Sequence, residues 1–256
     1  MHFIDTHAHV YAEELTSDLD LIMKNAVAVG VNKIIMPAID STTLEAMLKV
    51  EQQFPEHCIA MMGLHPCYVK ENYKEELKLV EDWIGKRKFI AIGEIGLDFY
   101  WDKTFTKEQH IVFETQMQWA LDLQLPIAIH TRNAMGETIE AVKPFAKKGL
   151  RGVFHCFSGS KESAEQIIGM GFHLGLGGVL TYKNAGVAEA VKDIPMEYLV
   201  LETDAPYLAP VPYRGKTNEP AYMIEVAKKL ADIKSLPLHE IAAITTSNAE
   251  KLFGLQ

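Results

Sequence analysis

Six side chains have the chemistry of a metal site. His7 and His9 stand two apart in HFIDTHAH, Glu94 lies in FIAIGEIG, His130 ends PIAIH, His155 lies in GVFHCF and Asp204 ends YLVLETD. Imidazole nitrogens with carboxylate oxygens suit a divalent transition metal. A carboxylate inside an apolar run is costly to bury unpaired. Charged groups persist there by coordinating a cation or pairing with one. If His7 and His9 belong to a strand, side-chain alternation puts both on one face, with Asp5 beside them.

The charge of the set points to two cations. Four neutral imidazoles and ionised Glu94 and Asp204 sum to −2, and two divalent cations would bring the site to +2, suited to a phosphate anion. A bridging carboxylate holds two cations about 3.5–4 Å apart, and such a pair lowers the pKa of a water and clamps an in-line displacement. Glu94 is the candidate bridge. Asp204 is the candidate both for binding one cation and for taking the proton of the attacking water. Glu94 and Asp204 are therefore the expected catalytic residues.

A second group of residues has weaker signals. His65 in GLHP follows an apolar run and can contact substrate or serve as a cap. Arg132 follows His130 closely and can face an anion or the outer helices. Ser158, Gly159 and Ser160 read as a helix start, where backbone N–H groups favour anions or a plain N-cap. Arg214, Lys216 and Asn218 lie in a loop just after Asp204, and arginine suits bidentate phosphate contact. Cys156, next to His155, should point to the opposite face of its strand and pack. The aromatic run from Phe99 to Trp101 can stack on a base or pack as an ordinary loop. A nucleophile elbow, a P-loop and a dinucleotide fingerprint are all missing from the sequence.

The elements that must position these residues are short apolar runs alternating with amphipathic stretches. Eight runs read as buried strands: those starting at His2, Lys33, Cys58, Phe89, Pro126, Gly152, Phe172 and Tyr198. Helical stretches follow most of them, one ending at Gly30 and a long one running up to Pro126. Alternation of this kind implies parallel pairing. It fits a (β/α)8 TIM barrel or an open doubly wound sheet. In the barrel, all the candidate ligands, sitting toward the C-terminal ends of strands, converge on one rim. One domain covering residues 1–256 is expected, since α/β barrels reach about 250 residues as a unit.

The chain carries 25 Lys and Arg against 34 Asp and Glu, a formal net charge of −9. That argues against electrostatic coating of nucleic acid, but not against a nuclease whose bound cations dominate the local field. Three cysteines imply no disulfide framework and fit a reducing cytoplasm. No signal peptide or apolar run of membrane length is evident. A cytoplasmic protein with no membrane association and no obligate protein partner is expected.

Taken together, DTHAH at Asp5–His9, GEIGLD at Gly93–Asp98, HxR at His130–Arg132, HCFSG at His155–Gly159, ETDAPYL at Glu202–Leu208 and RGKxNEP at Arg214–Pro220 resemble the TatD family of metal-dependent deoxyribonucleases. These belong to the amidohydrolase-like TIM barrels. The resemblance implies a first metal on His7 and His9 with Glu94 bridging and Asp204 nearby, and a second on His130 and His155 with Glu94. It places His65 and Arg214 close to the scissile phosphate. It further implies phosphodiester hydrolysis in DNA, often exonucleolytic from the 3′ end, on DNA ends or oligonucleotides, with two divalent ions drawn from magnesium, manganese or zinc. A small-molecule amidohydrolase or lactonase using the same centre is the alternative, and a non-catalytic metal-binding protein a third reading.

Overall fold

The computed structural model describes residues 1–255; the last residue of the expected 1–256 domain lies outside the described residues. Eight parallel strands follow one another: β1 (Phe3–Asp5), β2 (Val31–Met36), β3 (Cys58–Ala60), β4 (Ile92–Asp98), β5 (Ile127–Arg132), β6 (Gly152–Phe154), β7 (His173–Leu176) and β8 (Leu199–Leu201). Each pairs with its sequence neighbour within two groups, β1-β2-β3 and β4-β5-β6-β7-β8. Backbone bonds cross both gaps. Met62 bridges to Ile92 and accepts from Gly93 N at 3.0 Å, and Thr6 N donates to Leu201 O at 3.1 Å. The strand order therefore runs round a ring, the architecture of a (β/α)8 barrel.

Among the described residues, ten helices accompany the strands: α1 (Glu13–Thr16), α2 (Leu19–Val29), α3 (Leu44–Gln53), α4 (Tyr73–Lys86), α5 (Thr106–Leu123), α6 (Met135–Ala146), α7 (Lys161–Gly169), α8 (Val187–Val191), α9 (Met223–Lys234) and α10 (Leu238–Phe253). Gly30 stops α2 in the left-handed region, φ 97°, where a Cβ would meet Met1 O at 2.5 Å. Helix α4 was not among the amphipathic stretches read from the sequence. Only Val80 of it is fully buried, while Tyr73, Leu77, Trp83 and Ile84 are half-buried against the core.

Side-chain alternation splits the core into two layers. Ile4, Ile35, Met61, Ala128, Val153 and Val200 point into the ring, and Ala249, Leu252 and Phe253 of α10 pack on them. Their neighbours Phe3, Ile34, Met36, Ile129 and Phe154 face outward to the helices. Helix α10 meets the strands where they begin: Thr246 Oγ1 donates to His2 O at 2.7 Å and Asn248 Nδ2 to Leu199 O at 2.8 Å. The start of the ring is plugged, which leaves the C-terminal mouth for chemistry.

The strands are shorter than the apolar runs. β1 ends at Asp5, β6 at Phe154 and β8 at Leu201. His7, His9, His155 and Asp204 therefore sit on the first residues past strand ends, and alternation along a strand does not explain how His7 and His9 are aimed. Their segment divides its backbone bonds between both neighbours, Ala8 N to Ile35 O and His9 N to Ala205 O. Cys156 is likewise past its strand, at φ 46° in the left-handed region, and lines the same cavity as His155 rather than facing away. Among the described residues, no helix is long and apolar enough to cross a membrane.

Candidate metal centre

At the mouth of the barrel, Glu94 of β4 is the hub. Its Oε1 lies 2.9 Å from His130 Nδ1, 2.8 Å from His155 Nε2 and 3.3 Å from His65 Nε2. Its Oε2 lies 3.1 Å from His7 Nε2 and 3.7 Å from His9 Nε2. Asp204 Oδ1 completes the second side, 3.7 Å from His7 Nε2 and 3.5 Å from His9 Nε2. All six residues singled out from the sequence are thus brought together, and His65 joins them. Ligand atoms about 2.0–2.2 Å from one cation, and 90–110° apart around it, are separated by roughly 3–3.5 Å. The spacings of the cluster match that edge length.

The hydrogen bonds around the cluster decide which nitrogens are free to bind a cation. Tyr11 Oη donates its one proton to Pro37 O at 2.6 Å, so at 2.9 Å it can only accept from His9 Nδ1–H, leaving the His9 Nε2 lone pair toward the cluster. Asp98 Oδ2 accepts from His130 Nε2–H at 2.8 Å, so the neutral ring presents the lone pair of Nδ1, 2.9 Å from Glu94 Oε1, to a cation. Glu202 Oε1, which accepts from Cys156 N, lies 3.5 Å from His155 Nδ1 without a hydrogen bond to it. Among the described residues, buried His7 Nδ1 has no hydrogen-bond partner, and its Nε2 faces Glu94 Oε2 at 3.1 Å. His65 is the reverse case. Its Nδ1 accepts from Cys67 N at 3.1 Å, so its proton sits on Nε2, aimed as a donor at Glu94. The donor set and its tautomers fit two cations sharing Glu94.

Deeper groups hold these side chains. Asp5 does not face the cluster with His7 and His9. It accepts from Thr203 Oγ1 at 2.6 Å, Thr203 N at 3.0 Å and His7 N at 3.2 Å, tying the end of β1 to the segment that carries Asp204. Burial pushes Asp5 up to about 8 against the pull of those donors. Buried Asn218 donates to Thr203 O and Tyr207 O, both at 2.7 Å, and pins the loop beyond β8. Asp204 itself adopts φ 56°. Gly96 has φ 149°, and a Cβ there would meet His130 O at 1.9 Å, so only glycine lets β4 approach the ligand-bearing end of β5.

Burial disfavours charge throughout the cluster, yet attraction wins for the carboxylates. Burial opposes ionisation of Glu94, but attraction to the imidazoles of His155, His65, His7 and His130 holds it well below the usual range. Asp204 is lowered in the same way: burial opposes its ionisation, but attraction to the imidazoles of His9, His155 and His7 overcomes it. His130 is raised, because Asp98 and Glu94 outweigh its burial, and His155 is raised further by Glu94 and Glu202. His7 and His65 are lowered, chiefly by burial.

The remaining candidates divide. Ser160 is the N-cap of α7, its Oγ accepting from Ser163 N at 3.3 Å, while Ser158 lines the cavity. Arg214 is exposed and lies 4.4 Å over the Tyr182 ring; it is not brought into the cavity, nor is Lys216. Arg132 does line it. Sequence reasoning missed Tyr11, Asp98 and Glu202. Asp98 and Glu202 stood in the quoted motifs GEIGLD and ETDAPYL, and the burial of a carboxylate in an apolar run was the available signal. For Tyr11 no such signal existed.

A profile of the family described as TatD related DNase matches residues 4–254. The chain is 38% identical to the uncharacterized metal-dependent hydrolase YabD of Bacillus subtilis over 252 residues, 98% of each chain. It is 32% identical to the uncharacterized metal-dependent hydrolase YcfH of Escherichia coli K12 over 262 residues, covering 100% of this chain and 97% of that one. Among solved structures, it superposes on YjjV, a TatD homolog from E. coli K12, with a TM-score of 0.93 at 29% identity, covering 99% of this chain and 98% of that one.

Proposed function

The chain belongs to the TatD related DNase family and is a metal-dependent hydrolase, and from that premise we propose that it hydrolyses phosphodiester bonds in DNA, removing nucleotides from single-stranded 3′ ends. The observation that carries this reading is the division of histidines between the two oxygens of Glu94. His7, His9, Asp204 and Glu94 would hold one divalent cation, and His130, His155 and Glu94 the other. When bound, such a pair supplies Lewis-acid stabilisation of phosphate charge and activates water near neutral pH.

The protein's own groups do the rest. Asp204, held ionised by its neighbours, accepts the proton of the attacking water at a carboxylate oxygen facing the cavity. His65 Nε2–H, already oriented as a donor, contacts a phosphate oxygen when substrate enters. Asp98 and Tyr11 position His130 and His9 by fixing their tautomers, and Glu202 places a carboxylate beside His155. With a net charge of −9, affinity for DNA comes from this mouth rather than from the whole surface, so short ends are preferred to long duplex.

The test is metal analysis of the purified protein together with digestion of a 5′-labelled single-stranded oligonucleotide in magnesium, manganese or zinc. Stepwise loss of 3′ nucleotides, abolished in Glu94→Gln, is expected. No cleavage with any of the three metals, alongside turnover of an amide or lactone, would overturn the reading in favour of a small-molecule hydrolase.

A further inference from the structure

Four aromatic side chains are exposed among the described residues: Trp101 at 68%, Tyr100 at 50%, Tyr207 at 49% and Tyr68 at 43%. Trp101, Tyr207 and Tyr68 line the 740 Å³ cavity over the metal centre, and Tyr100 packs edge-on to Trp101 with ring centroids 4.9 Å apart. Three of the four most exposed aromatic side chains thus line one mouth, and the fourth packs on one of them.

Arg132 adds the second half of a nucleotide-binding pattern. Among the described residues, it is the one lysine or arginine that lines the cavity. Its guanidinium lies 3.8 Å from the Tyr100 ring centroid and 5.1 Å from that of Trp101. Among the described residues, Arg87 is the only arginine in an ion pair, so the charge of Arg132 is not spent on a carboxylate. A stacked guanidinium keeps its in-plane donors free for phosphate oxygens.

This platform is tied rigidly to the centre. Asp98 Oδ1 accepts from Tyr100 N at 2.9 Å and Trp101 N at 3.2 Å, while its Oδ2 accepts from His130. In strand register, Asp98 of β4 stands opposite Arg132 of β5. One carboxylate therefore sets the positions of both the aromatic turn and a candidate ligand.

We infer that Trp101, supported by Tyr100 and Arg132, is a subsite that stacks a nucleobase of the substrate strand beside the scissile bond, with Arg132 holding an adjacent phosphate. This rests on the proposed hydrolysis of DNA and names how the strand is gripped. Stacking on any π-face is tolerant of sequence, so the subsite selects a base-bearing strand and not a particular base.

Two measurements test it. In steady-state hydrolysis of an oligo(dT) single strand, Trp101→Ala raises KM about 5- to 100-fold with kcat within about twofold, and Trp101→Phe restores most of the loss. The same oligonucleotide with abasic residues at its 3′ end is bound equally by the native protein and Trp101→Ala. In parallel, oligo(dT) titrated into the native protein in excess chelator quenches tryptophan fluorescence saturably, and Trp101→Ala abolishes the change. An unchanged KM in Trp101→Ala, or the same penalty on abasic and normal ends, overturns the subsite. Saturable Trp101-dependent quenching without cleavage in any metal keeps the subsite and sinks the hydrolysis reading. Cleavage with neither quenching nor a KM effect does the opposite.

Discussion

Replacing Asp98 by asparagine perturbs the centre without touching a candidate ligand. Asp98 Oδ2 accepts from His130 Nε2–H at 2.8 Å, and Oδ1 accepts from the N–H groups of Tyr100 and Trp101 at 2.9 and 3.2 Å. Asparagine has one acceptor oxygen where aspartate has two. If that oxygen stays with the turn, the amide N–H₂ confronts His130, which must move its proton to Nδ1 and then has no lone pair toward Glu94. If the amide flips, the turn loses both acceptors, at about 1–3 kcal/mol for each buried N–H left unpaired. The first arrangement costs less backbone, so His130 is the group silenced. Loss of a partner that orients a ligand costs about 10- to 100-fold in metal affinity, or about 1.4–2.8 kcal/mol. Because the tautomer is inverted rather than merely loosened, the upper end is expected. Calorimetric titration of metal-stripped Asp98→Asn with manganese should show one site weakened by that factor and the His7–His9 site within about threefold of the native protein, with far-UV circular dichroism unchanged. Two sites of native affinity would refute the tautomer reasoning.

Three further outcomes follow from the same structure. Phe253→Ala empties the plug beneath the ring and should cost about 3–5 kcal/mol in denaturant unfolding, with turnover per folded molecule unchanged, because Phe253 packs at the opposite end from Glu94. Removing the divalent ions should lower the melting temperature: an ion at 100 times its Kd stabilises by about 2.7 kcal/mol, which is roughly 5–11 °C for a protein of this size. That difference should grow with pH. His130 and His155 are raised above the ordinary 6.5 by Glu94, Asp98 and Glu202 against their burial, so in the ion-free protein they contribute stability below 6.5 that is lost as pH rises through their folded values. Cation binding needs them unprotonated and strengthens over the same span. Melting scans from pH 6 to 9, with and without manganese, check it; a difference that is constant with pH would contradict the assignment.

The legibility of this fold in its sequence was uneven for physical reasons. Eight buried parallel strands announce themselves as continuous apolar runs, since both faces of each are covered. The six-residue constellation was legible because carboxylates and imidazoles are conspicuous in such runs. Strand ends were not legible. The apolar character of HFIDTHAH, GVFHCF and YLVLETD continues past the last ladder bond into the mouth of the barrel, so His7, His9, His155 and Asp204 looked like strand residues although they lie beyond β1, β6 and β8. The loop after β8 misled in the opposite way. Its basic residues suggested a phosphate contact, yet Arg214 lies over Tyr182, and the buried anchor of the loop is the uncharged Asn218.

The division of labour among the five histidines of the centre was beyond reach of the sequence, because it depends on what touches the far nitrogen of each ring. His65 and His130 are both close to Glu94 Oε1, at 3.3 and 2.9 Å, and residue type alone makes them equivalent. A backbone N–H from Cys67 on His65 Nδ1 makes that ring a donor toward the centre, whereas a carboxylate from Asp98 on His130 Nε2 leaves the other, when neutral, a candidate ligand. The two partners come from opposite kinds of structure, a short 3-10 turn after β3 and the last residue of β4. The barrel brings imidazoles to one point by topology, but single hydrogen bonds made outside that point sort them into candidate ligands and candidate proton donors. Such bonds are where a substitution can rewrite the chemistry and leave the fold intact.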